Sequence, residues 1–350
     1  MDISPRQQKI IAIFLEKGPL QSSQVREEAA KKGEDVSLVT MKRALSEMTA
    51  RGILVLKGLG RATMYEIGML GRIFADIDAR EYCAIEPDRR FGLRRYNFEL
   101  FSGMPADIFT GAELTVLKNA TVEYTQRTTD MPPAIEKREL ERLIIELSWK
   151  SSRIEGNTYT LLDTEKLIME NKEAAGHDRK ETQMILNHKD AFLFVREHAA
   201  LFQTVSRSSI EQLHKIIVKD LSVGFGFREK PVGVIGSVYQ PLDNMHQIRE
   251  GMDALADMVS RATTPYAKAL VALLGVSYLQ PFEDGNKRTA RLLANAILLA
   301  HGCAPLSYRS VEESEYREAT LVFYEINSIV PFKKIFIGQY DFAARNYAVK

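Results

Sequence analysis

Two apolar stretches separated only by a turn set the strongest constraint on this chain. Residues 265–279 read "PYAKALVALLGVSYL" and residues 287–301 read "KRTARLLANAILLAH". Thr264 and Pro265 make a helix start, a capping hydroxyl followed by proline in the first turn. The second stretch stops at Gly302, with Pro305 beyond it. Leucine, isoleucine and alanine surround the second helix from Leu292 on, so it cannot face water and must sit at the centre of a helical fold. Tyr266 to Leu279 carries Lys268 and is too short to cross a bilayer. No membrane association is expected.

Composition adds exclusions. The 350 residues are 45% hydrophobic and 27% charged, with a net charge of +1. That suits two or three globular domains and provides no global field toward nucleic acid or anionic lipid. Cys83 and Cys303 are far apart and form neither a disulfide framework nor a zinc cluster. The N-terminal run does not read as a signal peptide. These features place the chain in the cytoplasm.

Residues 1–67 have the rhythm of three helices closed by a hairpin. Ile10, Ile11, Ile13, Phe14 and Leu15 make the apolar part of a first helix, stopped at Gly18-Pro19. Ser22 or Ser23 caps a second, ended by Gly33. Ser37 caps a third, with Leu38, Met41, Leu45 and Met48 at helical spacing. "ILVLKGLGRATMYEI" then reads as two short strands. This order resembles a winged helix-turn-helix. DNA contact through residues 37–61 is one reading, with Lys42, Arg43 and Arg51 available. A protein-interaction or packing module is the other, because Glu47 lies among those cations and the segment carries eleven basic against eight acidic residues.

Residues 68–133 read as a folded connector in which Tyr96, Phe98, Leu100 and Phe101 require burial, ending near Pro133. From Ala134 the chain is mostly helical. The exception is "GFREKPVGVIGSVYQPLDN", residues 226–244, which predicts a short β-hairpin.

The turn between the two apolar helices, "QPFEDGNKRTAR" from Gln280 to Arg291, concentrates the chemistry. The first N–H groups of a helix lack internal partners and carry partial positive charge, a ready anion site. Arg288 and Arg291, three apart, share a face above it and suit a polyphosphate. Asp284 is the kind of oxygen ligand that Mg²⁺ accepts beside phosphates. A capped helix with arginines in salt bridges is the plainer alternative.

This stretch resembles the signature of the Fic (Fido) family, His-x-Phe-x-(Asp/Glu)-Gly-Asn-x-Arg-x-x-Arg. Phe282, Asp284, Gly285, Asn286, Arg288 and Arg291 match. Gln280 stands where the family has its catalytic histidine, and Lys287 where many members have glycine. "EQLHKIIV" resembles the family helix carrying Leu-His. Upstream, "SSRIEGN" resembles the inhibitory motif (Ser/Thr)-x-x-x-Glu-(Gly/Asn), with Ser151, Glu155 and Gly156 at its defined positions. The expected fold is therefore mostly α, a Fic core over 134–345 with a small hairpin flap and the inhibitory motif near 151–156.

The resemblance implies transfer of AMP from ATP to a hydroxyl on a target protein. Asp284 would hold Mg²⁺. Asn286 and the helix N-terminus would meet the α-phosphate region, beside Lys287. Arg288 would meet the β-phosphate and Arg291 the γ-phosphate. Val234, Ile235, Gly236 and Tyr239 of the flap would grip the target as an added strand. Glutamine has no useful proton affinity, so Gln280 should leave transfer weak or lost. Glu155 can pair bidentately with Arg291 and so compete with phosphate. Two other readings stay open: a nucleotide-sensing pseudoenzyme, and a DNA-binding transcriptional regulator in which this domain is a dimerisation body.

Overall fold

The computed structural model describes residues 2–58 and 60–349, with the backbone but not the side chain of Arg61. Leu59 and the Arg61 side chain, within the 37–61 range considered for DNA, thus lie outside the described residues. The chain divides into two compact units. One comprises Met1–Pro105, Val234–Gln240 and Glu318–Lys333; the other comprises Ala106–Gly233, Pro241–Arg317 and Lys334–Lys350.

The first unit begins with α1 (Pro5–Lys17), α2 (Ser22–Lys31) and α3 (Leu38–Ala50), then β1 (Leu54–Lys57) and β2 (Met64–Ile67). Ser4 caps α1 and Ser37 caps α3 through their hydroxyls. The cap of α2 falls one residue earlier than expected. Ser22 is already helical, and Gln24 Oε1 accepts the Gln21 N–H at 2.8 Å. Antiparallel pairing sets Leu54 opposite Ile67 and Lys57 opposite Met64. Ile10, Phe14, Val25, Leu45 and Ile53 are buried together, joined by Tyr82, Val322 and Ile326. Lys42 and Arg43 remain exposed on α3. Short helices follow, α4 (Met69–Ile73), α5 (Ala79–Ala84) and α6 (Leu100–Gly103). Tyr96, Leu100 and Phe101 are buried as expected, but Phe98 is 55% exposed.

Residues 226–244 do not form the expected pair of strands. The segment contains a turn in which the Ser237 N–H donates to Val234 O at 3.2 Å, and the Gln240 N–H donates to Arg94 O at 2.8 Å. Pro231 and Pro241 lack the N–H groups a ladder needs. The 234–240 part is fastened within the first unit by a buried carboxylate. Glu325 accepts hydrogen bonds from Tyr82 Oη at 2.7 Å and Ser237 Oγ at 2.5 Å, and Arg90 donates to Gly236 O at 2.9 Å. Ile235 is 99% exposed, whereas Tyr239 is 2% exposed and lies 5.5 Å from the Tyr324 ring. Of the expected flap residues, then, Tyr239 belongs to the core rather than to a target-gripping edge.

The second unit is helical: α7 (Gly111–Thr128), α8 (Pro133–Ile154), α9 (Leu161–Glu170), α10 (Arg179–Glu197), α11 (Arg207–Ile217), α12 (Met245–Arg261), α13 (Pro265–Leu279) and α14 (Asn286–Ala300). α15 (Glu313–Ile326) and α16 (Val330–Asn346) complete the chain. Thr264 caps α13 as predicted. Every residue of α13 from Ala269 to Leu279 is buried, and α14 is buried from Arg288 to Leu298. α13 packs against α12 and α14, and α8 and α10 also contact α14. The approach of α12 is close enough to need a glycine, since a Cβ on Gly275 would sit 2.3 Å from Leu255 Cδ1. Among the described residues no helix is long and apolar enough to cross a membrane.

Candidate functional site

The site is built where α13 ends and α14 begins. Gln280 closes α13 in the left-handed region, φ 48° and ψ 55°, with its N–H donating to Val276 O. A non-glycine residue holds that conformation only when its surroundings fix it. Here they do. Gln280 Nε2 donates to Ser277 O at 2.6 Å, and Oε1 accepts from Asn286 Nδ2 at 3.1 Å. Arg228, 1% exposed, donates from Nε to Gln280 O at 2.6 Å, and its backbone N–H donates to Pro281 O at 3.0 Å.

Asn286 also ties the turn from the other side. Its Oδ1 accepts the Phe282 N–H at 2.9 Å and its Nδ2 donates to Phe282 O at 2.8 Å. Its side chain therefore shapes the loop rather than reaching for a phosphate, and α14 starts without a side-chain cap. The first-turn N–H groups keep their outward dipole. Gly285 sits at φ 80°, and a Cβ there would lie 3.0 Å from Val218 Cγ1 and 3.2 Å from Ile217 Cγ2. Only glycine fits both the angle and the gap.

Phe282 is fully buried and stacks on the His214 ring, centroids 3.7 Å apart and planes 6° apart. His214 Nε2 donates to Asp284 O at 2.9 Å, so the proton resides on Nε2. Burial, together with Arg288 nearby, pushes this imidazole down to about 4 despite the opposing pull of the Asp284 carbonyl. His214 is neutral and structural. A depressed folded value means that stability is complete above the ordinary histidine value near about 6.5 and is lost as pH falls toward the folded one. Thermal melts should therefore show a falling Tm between those values, with a shallower slope in His214→Phe. An unchanged slope in that variant would contradict the assignment.

Five charged side chains complete the site. Arg288, with 2% of its side chain exposed, pairs with Asp284 Oδ2 at 2.9 Å. Asp284 Oδ1 accepts the Gly285 N–H at 2.6 Å. Arg291 is fully buried and lies 2.9 Å from Glu155 Oε1, while Lys287 Nζ lies 3.5 Å from Glu155 Oε2. The expected bidentate Glu155–Arg291 pair is thus a carboxylate shared between two cations. The rest of the Arg291 fork goes to Ser151, Nε to Oγ and Nη2 to the carbonyl, both at 2.8 Å. The Tyr316 ring covers the guanidinium at 5.5 Å. Burial raises the Glu155 carboxyl, but Arg291 and Lys287 outweigh it and hold the group below its ordinary value.

The structure therefore brings Gln280, Asp284, Asn286, Lys287, Arg288, Arg291 and Glu155 into one site. Ser151 was visible only as a motif position, and its spacing of four from Glu155 puts both at the end of α8. Nothing in the order of residues points to Tyr316, which comes from α15.

Residues 204–298 match the Fic/DOC family model. That segment is a Fic domain. The "Protein adenylyltransferase Fic" of Nematostella vectensis is 29% identical over 189 residues, 52% of this chain and 44% of the relative. The "Protein adenylyltransferase fic-1" of Caenorhabditis elegans is 26% identical over 188 residues, 51% of this chain and 36% of the relative. The chain spans less than half the length of these curated relatives. Among solved structures, Fic-1 from C. elegans superposes with a TM-score of 0.57 at 21% identity, covering 67% of this chain and 72% of that one. A Fic domain containing signaling protein from Bacteroides thetaiotaomicron gives 0.54 at 21%, covering 66% and 94%. At these identities the superpositions show the Fic fold; the chemistry rests on the site.

Proposed function

We propose that this chain binds ATP with Mg²⁺ at the 280–291 loop, as protein adenylyltransferases of the Fic type would, and that Glu155 holds it in an inhibited state. The observation that carries this reading is the buried cationic wall, Arg288 and Arg291, at the mouth of an uncapped helix. Arg288 Nη1 is buried with no hydrogen-bond acceptor among the described residues. Such a donor is costly unless a ligand meets it, and a phosphate oxygen is the acceptor that suits it. No cluster of three or more metal-ligating side chains occurs among the described residues. A Mg²⁺ ion would instead be taken up with phosphates through one carboxylate, here Asp284. When bound, the ion would neutralise developing phosphate charge.

The protein's own contribution is positional. The α14 N-terminus and Arg288 would orient the phosphate chain, and Arg291 would be released to it when Glu155 withdraws. A γ-phosphate and the Glu155 carboxylate compete for one guanidinium, so the brake acts on pose and affinity together. Gln280 does not supply a base. Its amide is spent on Ser277 and Asn286, which favours weak transfer or nucleotide sensing without transfer.

The brake should not respond to pH near neutrality. A depressed carboxylate pKa contributes above the ordinary value near about 4.3 and is lost only as pH falls through the lower folded value.

Calorimetry with ATP and Mg²⁺ tests the site. Glu155→Gly should raise affinity by about tenfold, because a half-buried competing charge is removed. Lys287→Ala should raise it by a few-fold at most, because that side chain is 32% exposed and restrains Glu155 from 3.5 Å. Failure of ATP to bind even the Glu155→Gly form would reject nucleotide binding.

A further inference from the structure

The part of the connector that belongs to the first unit, residues 68–105, shows no chemistry in its sequence, yet it lines a groove of about 910 Å³ within that unit. That volume lies in the range of about 300–1,000 Å³ usual for ligand sites. Its lining comprises Val55 and Lys57 of β1, Glu66 and Ile67 of β2, then Gly68, Met69 and Arg72, and the segment 92–99.

Two features of the lining point to a ligand. The first is charge. Four cationic side chains stand against two acidic ones, and Lys57 pairs with Glu66 inside the groove. Arg94 and Arg95 are exposed; Arg94 donates to the Asp88 carbonyl, and neither is matched to a carboxylate among the described residues. The second is apolar exposure. Phe98 is 55% exposed although its neighbours Tyr96, Leu100 and Phe101 are buried, and Val55 is 42% exposed. The Tyr96 ring meets Phe98 edge-on at 5.0 Å and holds it in place. A fixed aromatic ring left in water beside unmatched arginines has the make-up of a recognition patch.

We propose that this groove docks an acidic segment of a partner protein, its carboxylates on Arg94 and Arg95 and an apolar side chain against Phe98 and Val55. The apolar lining decides between anions. Val55, Ile67, Met69, Leu93 and Phe98 offer one exposed aromatic ring among aliphatic side chains. A nucleic-acid strand would call for several rings on which successive bases stack. A peptide alternating carboxylate and aliphatic side chains matches what is present. The proposal is independent of nucleotide binding by the Fic domain.

Fluorescence anisotropy on the full chain tests it with three labelled probes: a peptide of glutamate, leucine and serine, the same peptide with glutamine for glutamate, and oligo-dT. The acidic peptide should bind, and added salt should weaken it. The glutamine peptide should bind about tenfold more weakly or not at all. Arg94→Glu with Arg95→Glu should lower the acidic peptide's affinity by about tenfold or more, and Phe98→Ser by several-fold, with unchanged thermal melts. The proposal is overturned if the acidic peptide fails to bind, if the glutamine peptide binds equally, or if these variants bind as the parent does. Tighter binding of oligo-dT, lost in the same variants, would reassign the groove to nucleic acid. If the variants fold poorly, the two peptides and the salt titration on the unaltered chain still decide it.

Discussion

Gln280→His, placed in the Glu155→Gly form, should label a protein target or itself from labelled ATP at about 10²–10⁴ times the rate of Glu155→Gly alone. The reason is confined to one atom's proton affinity. A glutamine amide can orient a hydroxyl but cannot take its proton, whereas a neutral imidazole can. The rest of the site already exists in the structure: the Gly285 turn, the uncapped α14, and the Arg288 and Arg291 guanidiniums. The gain should rise with pH through the imidazole range near about 6.5 and then level, since only the unprotonated ring serves as base. Equal labelling by both forms would show that Gln280 is not the missing element. No labelling by either, with ATP bound, would leave the chain a nucleotide sensor.

Arg291→Met should cost about 3 kcal/mol of stability, a fall in Tm of roughly 10 °C for a unit of this size. The guanidinium is fully buried, and its loss leaves Glu155 with Lys287 as its ion-pair partner among the described residues. The cost sits at the low end for a broken buried pair because 19% of the Glu155 side chain still reaches solvent. Adding Glu155→Gln should recover part of it, because no uncompensated charge is then left. If the double variant melts no higher than the single one, Ser151 and Tyr316 rather than Glu155 account for the stabilising role of Arg291. Denaturant and thermal unfolding of the three variants distinguish these outcomes.

How much of this was legible beforehand varies with the physics involved. The buried helical pair was plain because apolar residues on every face leave no alternative. The loop was plain because the Gly285 turn and paired arginines at a helix start follow from local geometry. The sharing of Glu155 between Arg291 and Lys287 was not, because it depends on where the end of α8 meets α14. The hairpin expected at 226–244 failed for a related reason. Its valines and isoleucine favour strands, but Gln240 bonds to Arg94 and Glu325 claims Ser237, partners more than fifty residues away in sequence. Phe98 misled in the opposite direction: apolar character alone does not secure burial.

The double hydrogen-bonding of Gln280 has a consequence for what this chain tolerates. Its amide and that of Asn286 knot the turn by groups that never titrate. The geometry of the loop is therefore independent of the protonation state of residue 280. If nucleotide binds as proposed, a cradle so tied would hold it across the physiological pH range without altering its shape. Its occupancy would then report the nucleotide level itself, uncoupled from any turnover that would consume the signal.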